Sequence, residues 1–221
     1  MMAYKTFINT NHSSTKRDYI GRVNNRDKAE VANLAVKWGF DYWDGSRDTG
    51  YGGYKYDGRW QKVATNMINE YEIKPGMKIL DIGCGKGFLL KDFKISCSGT
   101  KVFGIDISEY AIQNAEKEII NDCVIGNATS LPYPDNYFDL VISINTLHNL
   151  YNFDLDQGLQ EISRVSKKHS FICVESYRNE SEKVNLLYWQ LTCRAFHTPE
   201  EWLYSFKKNG YKGDYEFIYF E

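Results

Sequence analysis

The chain predicts an α/β fold, a doubly wound and mostly parallel sheet with helices on both faces. Three observations carry that expectation. Between Met77 and Glu175, short apolar runs alternate with segments of helical spacing, the pattern of a parallel sheet built from strand–helix units. The first run, Lys78-Ile79-Leu80-Asp81-Ile82, passes directly into Gly83-Cys84-Gly85-Lys86-Gly87. Glycines at such a turn permit positive φ and leave backbone N–H groups uncovered for a ligand beside a helix N-terminus. The second run, Val102-Phe103-Gly104-Ile105, ends in Asp106, 25 residues after Asp81. An acid at the end of the second strand can accept from both hydroxyls of a ribose, so the expected ligand contains a nucleoside.

The elements follow in order. Residues 1–73 form an N-terminal helical extension and residues 74–221 the core domain. In the extension, Asp27 to Gly39 has helical apolar spacing through Val31, Leu34, Ala35 and Trp38, and Arg59 to Tyr71 reads as a second helix. Both should pack over the nucleoside end of the core. Core strands are expected near 78–82, 101–105, 122–126, 138–144 and 170–175, with helices near 87–95, 108–120 and 155–167. An aromatic stretch, Leu186 to Trp189, precedes a helix that starts at Thr198. Pro199 at its first position and Glu201 at its third make a capping box with Thr198. A final strand spans Tyr215 to Phe220.

Composition narrows the function classes. A chain of 221 residues with 43% hydrophobic content supports one sizeable domain. Its net charge of −2 lacks the basic excess of a protein that grips nucleic acid, so a small-molecule partner is expected and no nucleic acid. Cys84, Cys97, Cys123, Cys173 and Cys193 are odd in number and lie mostly in or beside apolar runs; they read as buried thiols in a reducing compartment. Cys193 and His197 have no second pair of ligands nearby, so no metal is expected. The start Met1-Met2-Ala3-Tyr4-Lys5 has no apolar signal core and no 18-residue uncharged apolar run occurs, so cytoplasmic residence without membrane contact is expected. The oligomeric state is open, with a homodimer as the form carried forward.

Glycine spacing separates the candidate nucleoside ligands. A dinucleotide turn wants G-x-G-x-x-G, whereas Gly83, Gly85 and Gly87 read G-x-G-x-G with Phe88 where the third dinucleotide glycine would stand. Lys86 is followed by Gly87 and not by Ser or Thr, so the phosphate-binding P-loop does not fit either. Further along come Gly126-Asn127-Ala128, Leu131-Pro132-Tyr133-Pro134-Asp135 and Phe138-Asp139-Leu140-Val141-Ile142-Ser143. Together these motifs, over roughly residues 74–175, resemble the class I family of methyltransferases that use S-adenosylmethionine (SAM). The resemblance implies the family's Rossmann-like fold, with its usual last antiparallel strand missing or short here, because only one strand follows the last helix. It implies that Gly83, Cys84 and Gly85 present backbone to the methionine part of SAM, with Asp81 near its ammonium. Asp106 and the neighbouring Ile107 would hold the ribose, Asn127 and Ala128 would meet the adenine, and Asn145 would also line the site. The product would be S-adenosylhomocysteine.

The segment 42–60 holds five glycines, six aromatics and two arginines in 19 residues. That composition suits a lid that closes over a polar ligand, and equally an ordered loop whose tyrosines cover the N-terminal helices. Its position before the core makes Tyr51, Tyr54, Tyr56, Arg47 and Arg59 candidates for acceptor recognition, with Arg178 and Arg194 available from the C-terminal part. It resembles a tyrosine–glycine segment of methyltransferases in bacterial cell-surface carbohydrate pathways. This implies O-methylation of an anionic, nucleotide-linked or carbohydrate-type acceptor. His148 follows the fourth strand at the end where ligands of open α/β sheets collect, and is the candidate catalytic base; His12, His169 and His197 have weaker positions. Alternatives are a nucleic-acid or protein methyltransferase, a non-catalytic SAM-binding module, and an NAD-dependent Rossmann enzyme. Base-flipping enzymes carry a Pro-Pro pair with an aromatic after strand four, where this chain has Ser143-Ile144-Asn145-Thr146.

Overall fold

Residues 2–8 and 17–221 are described in a computed structural model of the chain; His12 lies outside them. Six strands form one sheet in the order β3-β2-β1-β4-β5-β6. They are β1 (Lys78–Ile82), β2 (Lys101–Asp106), β3 (Cys123–Ile125), β4 (Phe138–Ile144), β5 (Ser166–Glu175) and β6 (Asp214–Ile218). Every pairing is parallel. Parallel neighbours need crossover connections, and the helices that make them cover both faces of the sheet. The central strands are accordingly apolar on both faces: Leu80, Ile82, Val141 and Ile172 pack into one core layer, and Ile79, Leu140, Ile142 and Phe171 into the other.

The chain's order reverses between β1 and β4, which lie side by side although β2 and β3 separate them in sequence. The crevice beyond the carboxyl ends of those two strands is where ligands bind in such sheets.

The last antiparallel strand is missing among the described residues, as expected, and two other elements differ from expectation. No antiparallel strand occurs among the described residues; β6 pairs directly with β5, Phe171 to Asp214 through Glu175 to Ile218. The chain leaves β5, runs through helices Glu180–Trp189 and Pro199–Lys208, and crosses back, so β6 re-enters in the same direction. The helix expected over 108–120 covers only Glu109–Gln113. There the Asn114 side chain bonds back to the Tyr110 carbonyl, and the Glu116 N–H donates to the Lys86 carbonyl. The Glu116 N–H thereby leaves the helical ladder, while the Asn114 amide competes for the Tyr110 carbonyl, and the helix ends. β5 also begins at Ser166, ahead of the apolar run, because Ser166 aligns with Phe138 in an irregular start of the ladder.

The N-terminal extension is built into the same body as the sheet. Glu216 on β6 is fully buried, and its carboxylate accepts from the N–H groups of Phe7 and Ile8. Helix Gln61–Glu70 buries Val63, Ala64 and Met67 in the layer that also holds Leu90 and Phe93 of helix Phe88–Ser96. The capping box at Thr198 is present in both directions. Among the described residues no helix is long and apolar enough to cross a membrane.

Candidate active site

At the crevice beyond β1 and β4 lies a cavity of about 310 Å³. Asp81, Gly83, Cys84, Gly85, Asp106, Ile107, Asn127, Ala128 and Asn145 all border it. Local chemistry explains the arrangement. Gly83 has φ 81°, and a Cβ there would lie 1.9 Å from Thr146 Oγ1. Gly85 has φ 56°, and a Cβ there would lie 2.7 Å from the Trp43 ring. Only glycine admits both the left-handed backbone and these approaches.

The N–H groups of Gly83, Cys84 and Gly85 are occupied within the protein, contrary to the expectation that they stay uncovered. Gly83 and Cys84 donate to the Ile105 carbonyl, and Gly85 donates to Asp106 Oδ2 at 2.8 Å. A pyrophosphate would find none of these three amides free, an argument against a dinucleotide that is independent of glycine spacing. What remains turned toward the cavity is acceptor-rich.

Asp106 accepts from the Gly85 N–H and, at 2.8 Å, from the Ser108 N–H at Oδ1, with the Ile107 N–H beside them. Each oxygen keeps a lone pair, enough for two hydroxyls. Burial raises the Asp106 pKa, against the lowering effect of those N–H groups. Asp81 is 5% exposed and has no hydrogen-bond or ion-pair partner among the described residues. Burial, with the Asp106 charge second, pushes its carboxyl up to about 7. A buried carboxylate without a partner is costly, and a ligand ammonium would relieve it. Asn127 Oδ1 accepts from Thr129 N–H at 3.0 Å and retains a second lone pair.

A second cavity, about 420 Å³, adjoins the first and shares Tyr42, Tyr51, Tyr54, Trp60 and Asn145 with it. Asn145 stands at the junction with φ 55°, its Oδ1 buried without a hydrogen-bond partner. Arg47, Tyr51, Tyr54 and Arg59 border this cavity. Three other candidates for acceptor recognition are placed elsewhere. Tyr56 donates to Asp92, Arg178 pairs with Glu182 and Glu221, and Arg194 lies over the Tyr151 ring. Sequence reasoning missed Arg17, Arg22, Lys55, Glu175 and Trp189, which all line the cavity. Glu175 ends β5, so an acid at a strand's carboxyl end was the available signal; the two N-terminal arginines sit in no motif.

His148 borders the second cavity but is 2% exposed. Its Nδ1 accepts from the Glu175 N–H at 3.3 Å, which places the ring proton on Nε2, 3.5 Å from Glu175 Oε2. Burial lowers its pKa to about 3. A ring with that tautomer and that acidity is a poor proton acceptor at neutral pH. Glu175 is the reverse case. Burial pushes its carboxyl up to about 8, against the lowering effect of the Gln190 amide and Arg17, and its Oε2 is buried with no hydrogen-bond partner.

The 42–60 segment closes over both cavities. Lys86, within the glycine turn, donates to both Asp44 oxygens at 2.8 and 2.7 Å and to the Tyr54 carbonyl at 2.9 Å. Asp44 also accepts from Tyr110. Trp43 donates to Ser108 Oγ and stacks on Tyr51 with centroids 5.4 Å apart, while Tyr54 stacks on Phe88. The aromatic cover is thus pinned to the glycine turn by one buried ammonium.

Comparison with known proteins agrees with this geometry. Residues 80–174 match the family described as methyltransferase domain. The chain is 32% identical over 145 residues to the demethylmenaquinone methyltransferase of Symbiobacterium thermophilum, covering 60% of this chain and 57% of that protein. It is 31% identical over 153 residues to the ubiquinone/menaquinone biosynthesis C-methyltransferase UbiE of Burkholderia cenocepacia, covering 66% and 57%. The chain therefore spans less than two thirds of the length of these relatives. Among solved structures, YcgJ of Bacillus subtilis superposes with a TM-score of 0.53 at 22% identity, covering 66% of each chain. The [4+2]-cyclase SpnF gives 0.53 at 22% identity, covering 85% of this chain and 70% of its own. The two structures establish the fold, and SpnF carries it under a cyclase's name.

Proposed function

We infer that this chain, whose residues 80–174 match the methyltransferase-domain family, is a class I SAM-dependent methyltransferase that transfers a methyl group from SAM to an oxygen of a small polar acceptor of anionic, nucleotide-linked or carbohydrate type. One observation carries the reading: two cavities meet at Asn145, the first bordered by acceptor groups with lone pairs to spare and the second by arginines. The first suits a cationic, ribose-bearing donor. Asp81 meets its ammonium, Asp106 its ribose hydroxyls, and Asn127 Oδ1 its exocyclic amine, matching acceptors to donors at each point.

SAM supplies an electrophilic methyl on a sulfonium, and the chain's contribution is positioning and proton management. Tyr42, Tyr51 and Tyr54 form the shared wall; burial raises their pKa values, so they stay neutral and exclude water. An acceptor held in the second cavity presents its oxygen along the sulfur–methyl axis, and such alignment is a large part of the rate. The C–O bond forms as the C–S bond breaks, and the acceptor's proton passes to Oε2 of Glu175 in its ionised form, which grows as pH rises toward about 8. His148, neutral and buried against Glu175, positions that carboxylate. The polysaccharide pathway remains supported by the resemblance of segment 42–60 alone.

A second reading is C-methylation of a quinol-type ring, as named in the relatives. The aromatic wall of Tyr42, Tyr51, Tyr54 and Trp60 favours a planar acceptor. The arginines favour the anionic one. Methyl-labelled SAM offered with a panel of nucleotide-linked sugars, sugar phosphates and short-chain demethylquinols separates the two: label in the quinol products alone would overturn the polar acceptor.

A further inference from the structure

We propose that the second cavity contains a subsite for a phosphoryl or diphosphoryl group, formed by the guanidinium groups of Arg17, Arg22 and Arg47 around the Trp189 ring. The inference rests on the methyl-transfer reading and names the acceptor class within it: a phosphorylated or diphosphate-linked alcohol.

The three guanidinium carbons lie 5.4, 5.0 and 5.4 Å from the centroid of that one indole. All three residues border the cavity. Their forks are set by backbone: Arg22 donates to the Trp189 and Arg47 carbonyls, and Arg47 to the Gly50 and Tyr51 carbonyls. Arg22 and Arg47 form no ion pair among the described residues. Burial lowers the Arg22 pKa, and the adjacent Arg47 charge lowers it further. Like charges gathered on one ring in a half-buried space call for an anion, and a fixed planar fork suits phosphate oxygens.

The wall's charge selects the kind of anion. Glu175 is its one carboxylate among the described residues, and its Oε1 already accepts from the Gln190 amide. Even with that acid ionised, three guanidinium groups leave an excess that a dianion matches and a lone carboxylate does not. The remaining polar atoms fit the other end of such an acceptor. Glu175 Oε2 and Asn145 Oδ1 are both buried without hydrogen-bond partners, and Asn145 borders the donor cavity as well. A hydroxyl there would donate to either atom while the arginines hold the phosphoryl end.

The alternative role for the cluster is structural, with the arginines packing segment 17–47 on helix Glu180–Trp189 through cation–π contact. Calorimetry on the full chain distinguishes the two, using pyrophosphate as probe, malonate as carboxylate control, and SAM in a separate titration. The proposal expects saturable one-site binding of pyrophosphate, tighter than malonate. Arg22→Lys and Arg47→Lys, which keep charge but lose the fork, should each weaken it by about tenfold, with SAM affinity changed less than about twofold as proof of folding. Absence of saturable pyrophosphate binding, equal binding of malonate, or affinity unaltered in both variants would overturn the subsite. SAM binding lost while pyrophosphate binding stays would overturn the methyl-transfer premise instead.

Discussion

Asp81 offers a quantitative test, because its burial ties SAM affinity to pH. Its carboxyl stands at about 7 in the free protein, against 3.8 ordinarily, and only the ionised form attracts an ammonium. Between pH 5 and pH 7 the ionised fraction rises from about one hundredth to about one half. SAM affinity should therefore increase about 50-fold over that range, about 2.3 kcal/mol. Above pH ~7.7 the ligand's own α-amino group begins to lose its proton, so the lower interval is the informative one. Calorimetry at pH 5.5 in two buffers of different ionisation heat should show close to one proton released per SAM bound. Asp81→Asn should bind weakly with a flat profile, which separates Asp81 from Asp106, whose pKa is also raised. A flat wild-type profile, or the same slope in Asp81→Asn, refutes the reasoning. Stability carries the opposite sign. From pH ~3.8 to ~7 the folded state holds a proton that the unfolded chain has released, so stability falls as pH rises, by roughly 4 kcal/mol for this group. Denaturant titrations at pH 5 and pH 8 should show that fall without SAM, and Asp81→Asn should reduce it while keeping the share of the same sign from Glu175, whose carboxyl is pushed up to about 8.

Other expectations follow from single contacts. Gly83→Ala forces a side chain against Thr146 at positive φ and should cost about 1–3 kcal/mol of stability with loss of SAM binding, read by thermal melts and calorimetry. Glu175→Gln should lower kcat by ~10²–10⁴ with SAM affinity kept, and His148→Gln by less than about tenfold; the reverse ranking in steady-state assays would return the base role to the histidine. Lys86→Met leaves Asp44 without its ion-pair partner and should destabilise by about 3 kcal/mol, with faster amide exchange across 42–60. If that segment is a lid, wild-type exchange there slows when SAM binds; equal protection with and without SAM identifies a fixed cover.

The parallel sheet and the donor cavity were legible because they depend on local chemistry. Strand, glycine turn and terminal acid are contiguous in Lys78–Gly87, and one alternation repeats along the core. The direction of β6 was not legible, since pairing with β5 depends on the path taken between residues 176 and 213. The helix after Ser108 fell short because Glu116 gives its N–H to Lys86, a tertiary contact with no sequence mark. The acceptor cavity was half legible. Arg47 and the tyrosines stand in a segment of unusual composition, whereas Arg17 and Arg22 reach the cavity only because Trp189, more than 160 residues later, packs beside them. The base assignment turns on burial: position places His148 at the right end of the sheet, and burial leaves it neutral beside Glu175, which we propose as the proton acceptor.

The central claim is that the cavity beyond β1 binds SAM through Asp106. Calorimetric titration of the full chain and of Asp106→Ala, with SAM and with NAD, tests it most directly. The account predicts one-site binding of SAM and none of NAD, with the variant folded and weakened by about 2–4 kcal/mol, since two hydroxyls lose an ionised acceptor. Unchanged SAM affinity in a folded Asp106→Ala, or binding of NAD in preference to SAM, would contradict it.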